Sequence, residues 1–195
     1  MPDTTLLRRS LRATRLQISS TELQLASTRV CQTLLAQREF VAARRVAGYV
    51  GSKGEIDPMP LLHLAHMMGK QCYLPILHPF LEGRLWFARW TPQSQMRFNR
   101  FNIPEPAFRY RDCSKPQFLD LLLVPMLGFD AQCHRLGMGG GFYDRTLSFR
   151  LRRSSWTGPY LVGLAHEAQR CDALQVAPWD VSMDAVFTEQ TIYRS

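Results

Sequence analysis

Apolar residues recur along the chain at two different spacings, and together these spacings predict an alternation of helices and strands. Four leucines between positions 6 and 16 recur at roughly helical spacing with arginines between them, which predicts an amphipathic helix over residues 4–17. Ser19, followed three residues later by Glu22, has the pattern of a reciprocal capping box. This pattern opens a second predicted helix that ends near residue 37.

Six short runs, apolar or alternating, have the length of strands. They cover residues 45–50, 72–76, 85–90, 119–125, 160–165 and 184–188. Helices are expected between several of them, notably over 58–69 and 141–152. The run 119–125 is apolar at consecutive positions, as expected for a strand of a parallel sheet with helices on both faces. The run 85–90 alternates more clearly and predicts an antiparallel hairpin or an edge strand.

Residues 91–118 interrupt this alternation with four prolines and no clear period. We expect a long irregular segment, and segments of this length are often functional. No internal repeat and no domain boundary is evident, so residues 1–195 are predicted to form a single α/β domain.

Composition is that of an ordinary globular protein, with 46% hydrophobic and 21% charged residues. The formal net charge of +8 indicates either a polyanionic partner or a small, highly negative ligand. A basic nucleic-acid-binding protein is one hypothesis, but no RNP, KH or helix-turn-helix signature supports it, so we do not expect a nucleic-acid partner. The basic residues are scattered along the chain, which favours a pocket or patch.

Five cysteines at wide spacing form no C-x-x-C pair, and the five histidines show no zinc-like spacing. We expect the thiols to be structural. No secretory or membrane-spanning run is evident, which predicts a reduced, cytoplasmic setting without a membrane partner. The oligomeric state stays open, although we expect a monomer.

A glycine cluster, LGMGGGFYDR at residues 136–145, is the segment richest in candidate chemistry. It lies between a predicted strand and a predicted helix, where open α/β sheets bind ligands. Glycines let backbone N–H groups approach phosphate oxygens closely. A carboxylate at Asp144 would be repelled by phosphates unless a cation lay between them, which favours a Mg²⁺ ligand. Arg135 and Arg145 could neutralise the remaining charge.

A structural interpretation of the same segment stays open at this point. The glycines could form only a tight turn, with Asp144 capping the helix. Phe142 and Tyr143 could stack on a planar ligand or pack into the core. The spacing G-x-G-G-G matches neither a Walker A loop nor the dinucleotide fingerprint.

The segment RLGMGGGFYDR closely resembles the signature of the 5-formyltetrahydrofolate cyclo-ligase family. The resemblance continues through LLRRSLRATR, SKGEID, LLLVPMLGFD, VGLAHEAQ and DVSMDAVFTE, and so covers most of the chain. It implies a three-layer α/β/α sandwich with a mostly parallel sheet, similar to the ribose-phosphate isomerase and CoA-transferase group. It also implies an ATP- and Mg²⁺-dependent conversion of 5-formyltetrahydrofolate to 5,10-methenyltetrahydrofolate, ADP and phosphate.

The resemblance further implies roles for individual residues. Asp144 and Arg145 are expected to act in catalysis, and Asp144 and Asp184 to bind Mg²⁺. ATP contacts are expected from Arg8, Arg9, Arg12, Arg135, Gly137, Met138, Gly139, Gly140, Gly141, Phe142 and Tyr143. Folate contacts are expected from Val50, Glu55, Met138, Gly139, Gly140, Gly141 and Phe142. Relatives often carry lysine in place of Arg8.

Two alternatives accompany these roles. In isolation, the arginine stripe near the amino terminus would be a solvated helix face. An ATP-dependent phosphotransferase acting on a different small molecule would also use the glycine loop. Glu55 distinguishes the two activities, because a carboxylate with paired acceptor oxygens suits the amino and ring N–H donors of a pterin. The positive charge also suits a folate with a polyglutamate tail.

Overall fold

The computed structural model describes residues 4–52, 54–152 and 158–195, which form a mixed β-sheet flanked by helices. Its helices are α1 (Thr4–Leu16), α2 (Ser20–Leu35), α3 (Arg38–Ala42), α4 (Met59–Met67) and α5 (Phe142–Leu147). Its strands are β1 (Arg45–Ala47), β2 (Gln71–Leu77), β3 (Leu85–Trp90), β4 (Met96–Phe98), β5 (Pro104–Pro106), β6 (Cys113–Ser114), β7 (Leu121–Pro125), β8 (Gly128–Phe129), β9 (Arg135–Leu136), β10 (Tyr160–Leu164), β11 (Ala185–Phe187) and β12 (Ile192–Arg194). Among these residues, no helix combines the length and apolar character needed to cross a bilayer.

The main sheet has the strand order β12-β11-β10-β7-β1-β2-β3-β6. The five strands from β11 to β2 in this order are parallel, and β12, β3 and β6 add antiparallel pairings at the two sides. All six predicted strands are present. The run 85–90 forms the antiparallel hairpin with β2 that its alternation predicted, whereas β12 was not predicted.

Strand β7 is buried on both faces, as its consecutive apolar residues predict. Leu121 and Leu123 pack in the same core as buried residues of α2 and α4. Leu122 and Val124 face the other way and share a second core with Leu147 of α5. Because a strand alternates its side chains between two faces, an unbroken apolar run requires a cover on each side. The result is the predicted three-layer α/β/α arrangement.

The helices differ from the predictions mainly at their ends. Ser19 and Glu22 form the predicted capping box, but α2 ends at Leu35, and the short α3 follows it. The predicted helix over 141–152 is α-helical only to Leu147 and continues as a 3₁₀ segment, Ser148–Arg152. The Ser148 hydroxyl donates to the carbonyl of Arg145 at 3.1 Å, and such a bond competes with the regular helical pattern.

The segment 91–118 is more regular than predicted. It contains the antiparallel pair β4–β5, and β6 joins the edge of the main sheet. Glu105 of β5 is buried and accepts a hydrogen bond from the backbone N–H of Leu77 at 3.2 Å. Arg97 of β4 lies 3.7 Å from the same carboxylate. These contacts attach the segment to the end of β2.

Candidate functional site

The candidate site is formed by loops that follow the carboxyl ends of β1 and β7. After β7 the chain forms the β8–β9 hairpin, and the glycine loop, residues 137–141, then leads into α5. Gly139 has φ +97° and Gly141 has φ +64°, conformations that side-chain-bearing residues rarely adopt. The glycines are therefore required by the path of the backbone, and they also leave that backbone uncovered.

Arg135 and Asp144 form an ion pair beside this loop. The Arg135 side chain is 5% exposed, and its guanidinium lies 5.8 Å from the centre of the Tyr143 ring. Within the described part of the chain, its Nε is a buried donor without a hydrogen-bond partner. Leaving such a donor unpaired is unfavourable, so this position is suited to an acceptor atom of a ligand.

Asp144 is held from two sides. Its Oδ1 contacts Arg135 and also accepts a hydrogen bond from the backbone N–H of Val181 at 3.3 Å. The Asp144 side chain is 23% exposed, so it is still accessible from solvent. It is therefore more than a helix cap, because its partners lie outside α5.

Arg145 lies on the other side of the loop. Its Nε donates to the carbonyl of Gly83 at 2.9 Å, and its Nη2 donates to the carbonyl of Gly140. The guanidinium also lies 5.7 Å from the centre of the Phe142 ring. Arg135 and Arg145 therefore flank the glycine loop, and Arg145 joins it to the turn between β2 and β3.

The arginines of α1 point in different directions. The Nε of Arg8 donates to the carbonyl of Gly137 at 3.1 Å, and Arg12 contacts the sulfur of Met138 at 3.7 Å. Arg9 lies on the exposed side of the helix. The interpretation of this stripe as a wholly solvated face is therefore wrong, because two of its arginines contact the glycine loop.

Arg15, the last arginine of α1, is a site residue that the sequence reasoning missed. It is buried and forms an ion pair with Glu55, with Arg15 Nη1 and Glu55 Oε1 2.9 Å apart. Its position was detectable, because Leu7, Leu11 and Arg15 follow one another at intervals of four on the inward face of α1. Arg15 is thus the polar end of an otherwise apolar stripe.

Glu55 lies in the loop after β1, where its second oxygen accepts a hydrogen bond from the backbone N–H of Ser52 at 2.9 Å. Burial raises the pKa of the nearby Tyr49 hydroxyl, and the charge of Glu55 raises it further. Burial also raises the pKa of Tyr143, an effect that the charge of Arg135 opposes and that of Glu55 reinforces. Tyr143 therefore lies within electrostatic range of both Arg135 and Glu55. Val50, in the same loop as Glu55, is partly buried against the core.

Phe142 and Tyr143 differ in their surroundings. Tyr143 packs against the core that contains Leu147. Phe142 makes an edge-to-face contact with Phe101, with ring centroids 5.6 Å apart. Phe101 is 50% exposed and comes from the segment 91–118, so this segment reaches the glycine loop. The sequence indicated only that a segment of this length is often functional, and it did not indicate Phe101.

Asp184 is not brought to the glycine loop. It lies at the amino end of β11, where Oδ1 accepts from Arg150 at 2.7 Å and Oδ2 accepts from the backbone N–H of Leu161 at 2.7 Å. The loop instead follows the carboxyl end of β7. Asp184 therefore makes its contacts with other partners than Asp144 does, and its expected role in binding Mg²⁺ stays a prediction. In the described residues, no three His, Cys, Asp or Glu side chains cluster as a metal site.

The cysteines have the surroundings of structural thiols. Cys31, Cys72 and Cys133 are buried, and burial raises the pKa of Cys31 and of Cys72 to about 11. Thiols with such a pKa are almost entirely protonated near neutral pH and are poor nucleophiles. No step of the chemistry at the glycine loop is therefore assigned to them.

Comparison with known proteins gives a consistent result. The sequence model that describes the 5-formyltetrahydrofolate cyclo-ligase family matches residues 1–189. A 5-formyltetrahydrofolate cyclo-ligase of Escherichia coli (strain K12) is 40% identical over 174 residues, covering 87% of this chain and 89% of that protein. One of Haemophilus influenzae is 35% identical over 179 residues, covering 91% and 92%. The solved 5,10-methenyltetrahydrofolate synthetase of Aquifex aeolicus superposes with a TM-score of 0.80 at 29% identity, covering 98% and 92%.

Proposed function

Because the chain belongs to the 5-formyltetrahydrofolate cyclo-ligase family, we propose that it converts 5-formyltetrahydrofolate and ATP to 5,10-methenyltetrahydrofolate, ADP and phosphate. One observation carries this proposal. A single helix, α1, contacts the glycine loop through Arg8 and the Glu55 loop through Arg15. The glycine loop, as a phosphate-binding surface, and the Glu55 carboxylate, which is suited to a pterin, are thereby held side by side. Transfer of a phosphoryl group between two bound ligands requires such an arrangement.

The nucleotide phosphates would lie on the glycine loop. Arg135 offers an unpaired buried N–H there, and Arg145 flanks the loop from the opposite side. Because α5 has only six residues, its dipole contributes little, and the backbone N–H groups and arginines would supply most of the attraction. The proposed ATP contacts are those of Arg8, Arg9, Arg12, Arg135, Gly137, Met138, Gly139, Gly140, Gly141, Phe142 and Tyr143.

Mg²⁺ fits the same place through Asp144. This ion is commonly held by one or two carboxylates together with phosphate oxygens, and Asp144 is a partly exposed carboxylate beside the loop. A bound Mg²⁺ would neutralise charge on the transferring phosphoryl group. Asp144 would then exchange its contact with Arg135 for the ion and free that arginine to contact phosphate. We leave Asp184 out of this site, since both of its carboxylate oxygens accept hydrogen bonds at the amino end of β11, from Arg150 and from the backbone N–H of Leu161.

The folate would bind between the Glu55 loop and the glycine loop. Each oxygen of Glu55 makes one protein contact and keeps acceptor capacity for a pterin N–H donor. Val50 and Phe142 would line the apolar part, together with Met138, Gly139, Gly140 and Gly141. The net charge of +8 suits a substrate with a polyglutamate tail.

The reaction of the family would take place between these two ligands. The formyl oxygen attacks the γ-phosphorus of ATP, the bond to the β-γ bridging oxygen breaks, and ADP leaves. The neighbouring folate nitrogen then attacks the activated formyl carbon, closes the ring and expels phosphate, which takes up the proton of that nitrogen. Positioning and charge neutralisation by Arg145, Asp144 and the loop N–H groups are the contributions required of the protein, and no protein nucleophile is needed.

Turnover by the purified protein tests the proposal. The protein is mixed with 5-formyltetrahydrofolate, ATP and Mg²⁺, and the near-ultraviolet absorbance of the methenyl product is followed during an EDTA titration. Absorbance should rise only when all components are present and should stop once EDTA exceeds Mg²⁺. A protein that produces no methenyl product under these conditions would overturn the proposed activity. We further infer that residues 1–195 act as a single cytoplasmic domain and as a monomer.

A further inference from the structure

The buried ion pair between Arg15 and Glu55 is not explained by the resemblance that identified the other site residues. The two side chains are only 4% and 10% exposed. One oxygen of Glu55 contacts Arg15 Nη1 at 2.9 Å, and the other accepts from the backbone N–H of Ser52 at 2.9 Å. The carboxylate plane is therefore held by one contact on each oxygen.

The loop that carries Glu55 also packs closely on the end of α1. Gly54 has φ +72°, and a Cβ at this position would lie 2.7 Å from the carbonyl oxygen of Arg15. His166, which is 3% exposed, interacts with the backbone of Gly54 in this loop. Burial lowers the pKa of His166, although the charge of Glu189 opposes this effect. The backbone next to Glu55 is thus fixed by the same residue that binds the carboxylate.

The position of α1 is in turn fixed independently of this pair. Leu11 is 6% exposed and packs with Leu127 and Leu136 of the segment that leads to the glycine loop. Arg8, seven residues before Arg15, contacts Gly137. Seven residues correspond to about 10 Å of helix, so α1 sets the separation between the glycine loop and Glu55.

We propose that Arg15 is the positioning residue of the folate site and acts through Glu55, an inference that rests on the proposed function. The Arg15 guanidinium is planar and presents its N–H donors in a fixed fork, so its contact with Glu55 fixes the orientation of the carboxylate. The Glu55 carboxylate is then already oriented when the pterin binds, so binding does not have to pay the entropy of ordering this side chain.

Equilibrium binding of 5-formyltetrahydrofolate and of ATP-Mg²⁺ to single and double variants tests this role. Arg15→Gln should raise the dissociation constant for 5-formyltetrahydrofolate about 30-fold and leave that for ATP-Mg²⁺ within about twofold. Arg15→Lys keeps the positive charge but not the planar, forked arrangement of N–H donors, so it should restore part of the lost affinity for 5-formyltetrahydrofolate. Arg29→Gln, which removes an exposed arginine from α2, is the matched control and should bind both ligands normally.

The double variant separates positioning from a general structural role. In a Glu55→Gln background, Arg15→Gln should change folate binding by less than about twofold, because the group through which Arg15 acts is already gone. Additive losses, or wild-type folate binding by Arg15→Gln, would overturn the inference.

The remaining outcomes are also distinguishable. Thermal unfolding shows whether Arg15→Gln folds. If it does not fold, folate binding is measured on Arg15→Lys instead, and unchanged folate binding by that variant overturns the inference. If the wild-type protein turns over substrate but the Arg15 variants bind folate normally, only the role of Arg15 fails. A wild-type protein that binds no folate removes both proposals.

Discussion

Replacing Gly141 by alanine tests whether the glycine loop and Arg145 form one functional unit. Gly141 has φ +64° and ψ 15°, and an added Cβ would lie 2.7 Å from Arg145 Nη1. That distance is too short for a non-bonded contact, so the guanidinium has to move. Gly69 offers a matched control, because it has φ +78° and an added Cβ there meets nothing within 4 Å. Both substitutions impose the same kind of backbone strain, but only one displaces an arginine.

The two variants should lose similar stability but very different amounts of activity. A left-handed conformation costs an alanine about 1–2 kcal/mol, and reduced entropy of the unfolded chain offsets about 0.4–1 kcal/mol of this. The free energy of unfolding should therefore fall by roughly 1 kcal/mol in each variant. Displacing a group that stabilises transition-state charge typically costs about 100-fold in rate, or about 2.7 kcal/mol. This loss is expected for Gly141→Ala alone.

Urea titration gives the free energies of unfolding, and formation of the methenyl product at saturating ATP and Mg²⁺ gives kcat/KM. Gly69→Ala should retain wild-type kcat/KM. If the kcat/KM of Gly141→Ala lies within about threefold of that of Gly69→Ala, Arg145 does not act from its observed position, and the reasoning for the loop fails.

Three further predictions follow from the carboxylates of the structure. Asp144→Asn should abolish turnover or shift the Mg²⁺ titration of activity to much higher concentration; a wild-type titration curve would show that Asp144 does not bind the ion. Asp184→Asn should leave the Mg²⁺ titration unchanged but lower the free energy of unfolding by about 1–3 kcal/mol, because the variant loses the charged acceptor of Arg150; a raised Mg²⁺ requirement would restore Asp184 to the metal site. Burial raises the pKa of Asp130, but hydrogen bonds from His134 and from the Leu174 amide outweigh this and hold the pKa below its ordinary value. The part of the stabilisation that comes from the ionised Asp130 carboxylate should therefore be complete at neutral pH and be lost progressively as the pH falls below about 4, so the deficit of Asp130→Ala in urea titration, about 3 kcal/mol at pH 7, should shrink as the pH falls; a deficit independent of pH would contradict this.

Local patterns in the sequence were sufficient for six strands of the main sheet and for the helices α1, α2, α4 and α5, but not for α3, β12 or the short strands β4, β5, β6, β8 and β9. The capping box at Ser19, the consecutive apolar residues of β7 and the alternation of β3 each identified an element and its environment correctly. These features depend on spacing along one segment, and the backbone geometry of a helix or strand converts spacing directly into a face. The glycine loop could also be identified from the sequence. Gly139 and Gly141 have positive φ angles, which most other residues rarely adopt, so this backbone path requires glycines there.

Partnerships between distant segments were decided only by the tertiary structure. Helical spacing places Arg15, but not Arg9, on the inward face of α1, yet nothing near Arg15 in the sequence indicates that its partner is Glu55, 40 residues away. Asp184 was expected to bind Mg²⁺ together with Asp144, but it pairs with Arg150 at the amino end of β11. A charged side chain can be satisfied by water, by an ion pair or by a ligand, and which of these it meets depends on the segments that pack beside it. The sequence by itself therefore determined the main elements and the type of chemistry, whereas the packing of α1 and the order of the strands determined which charges share a site.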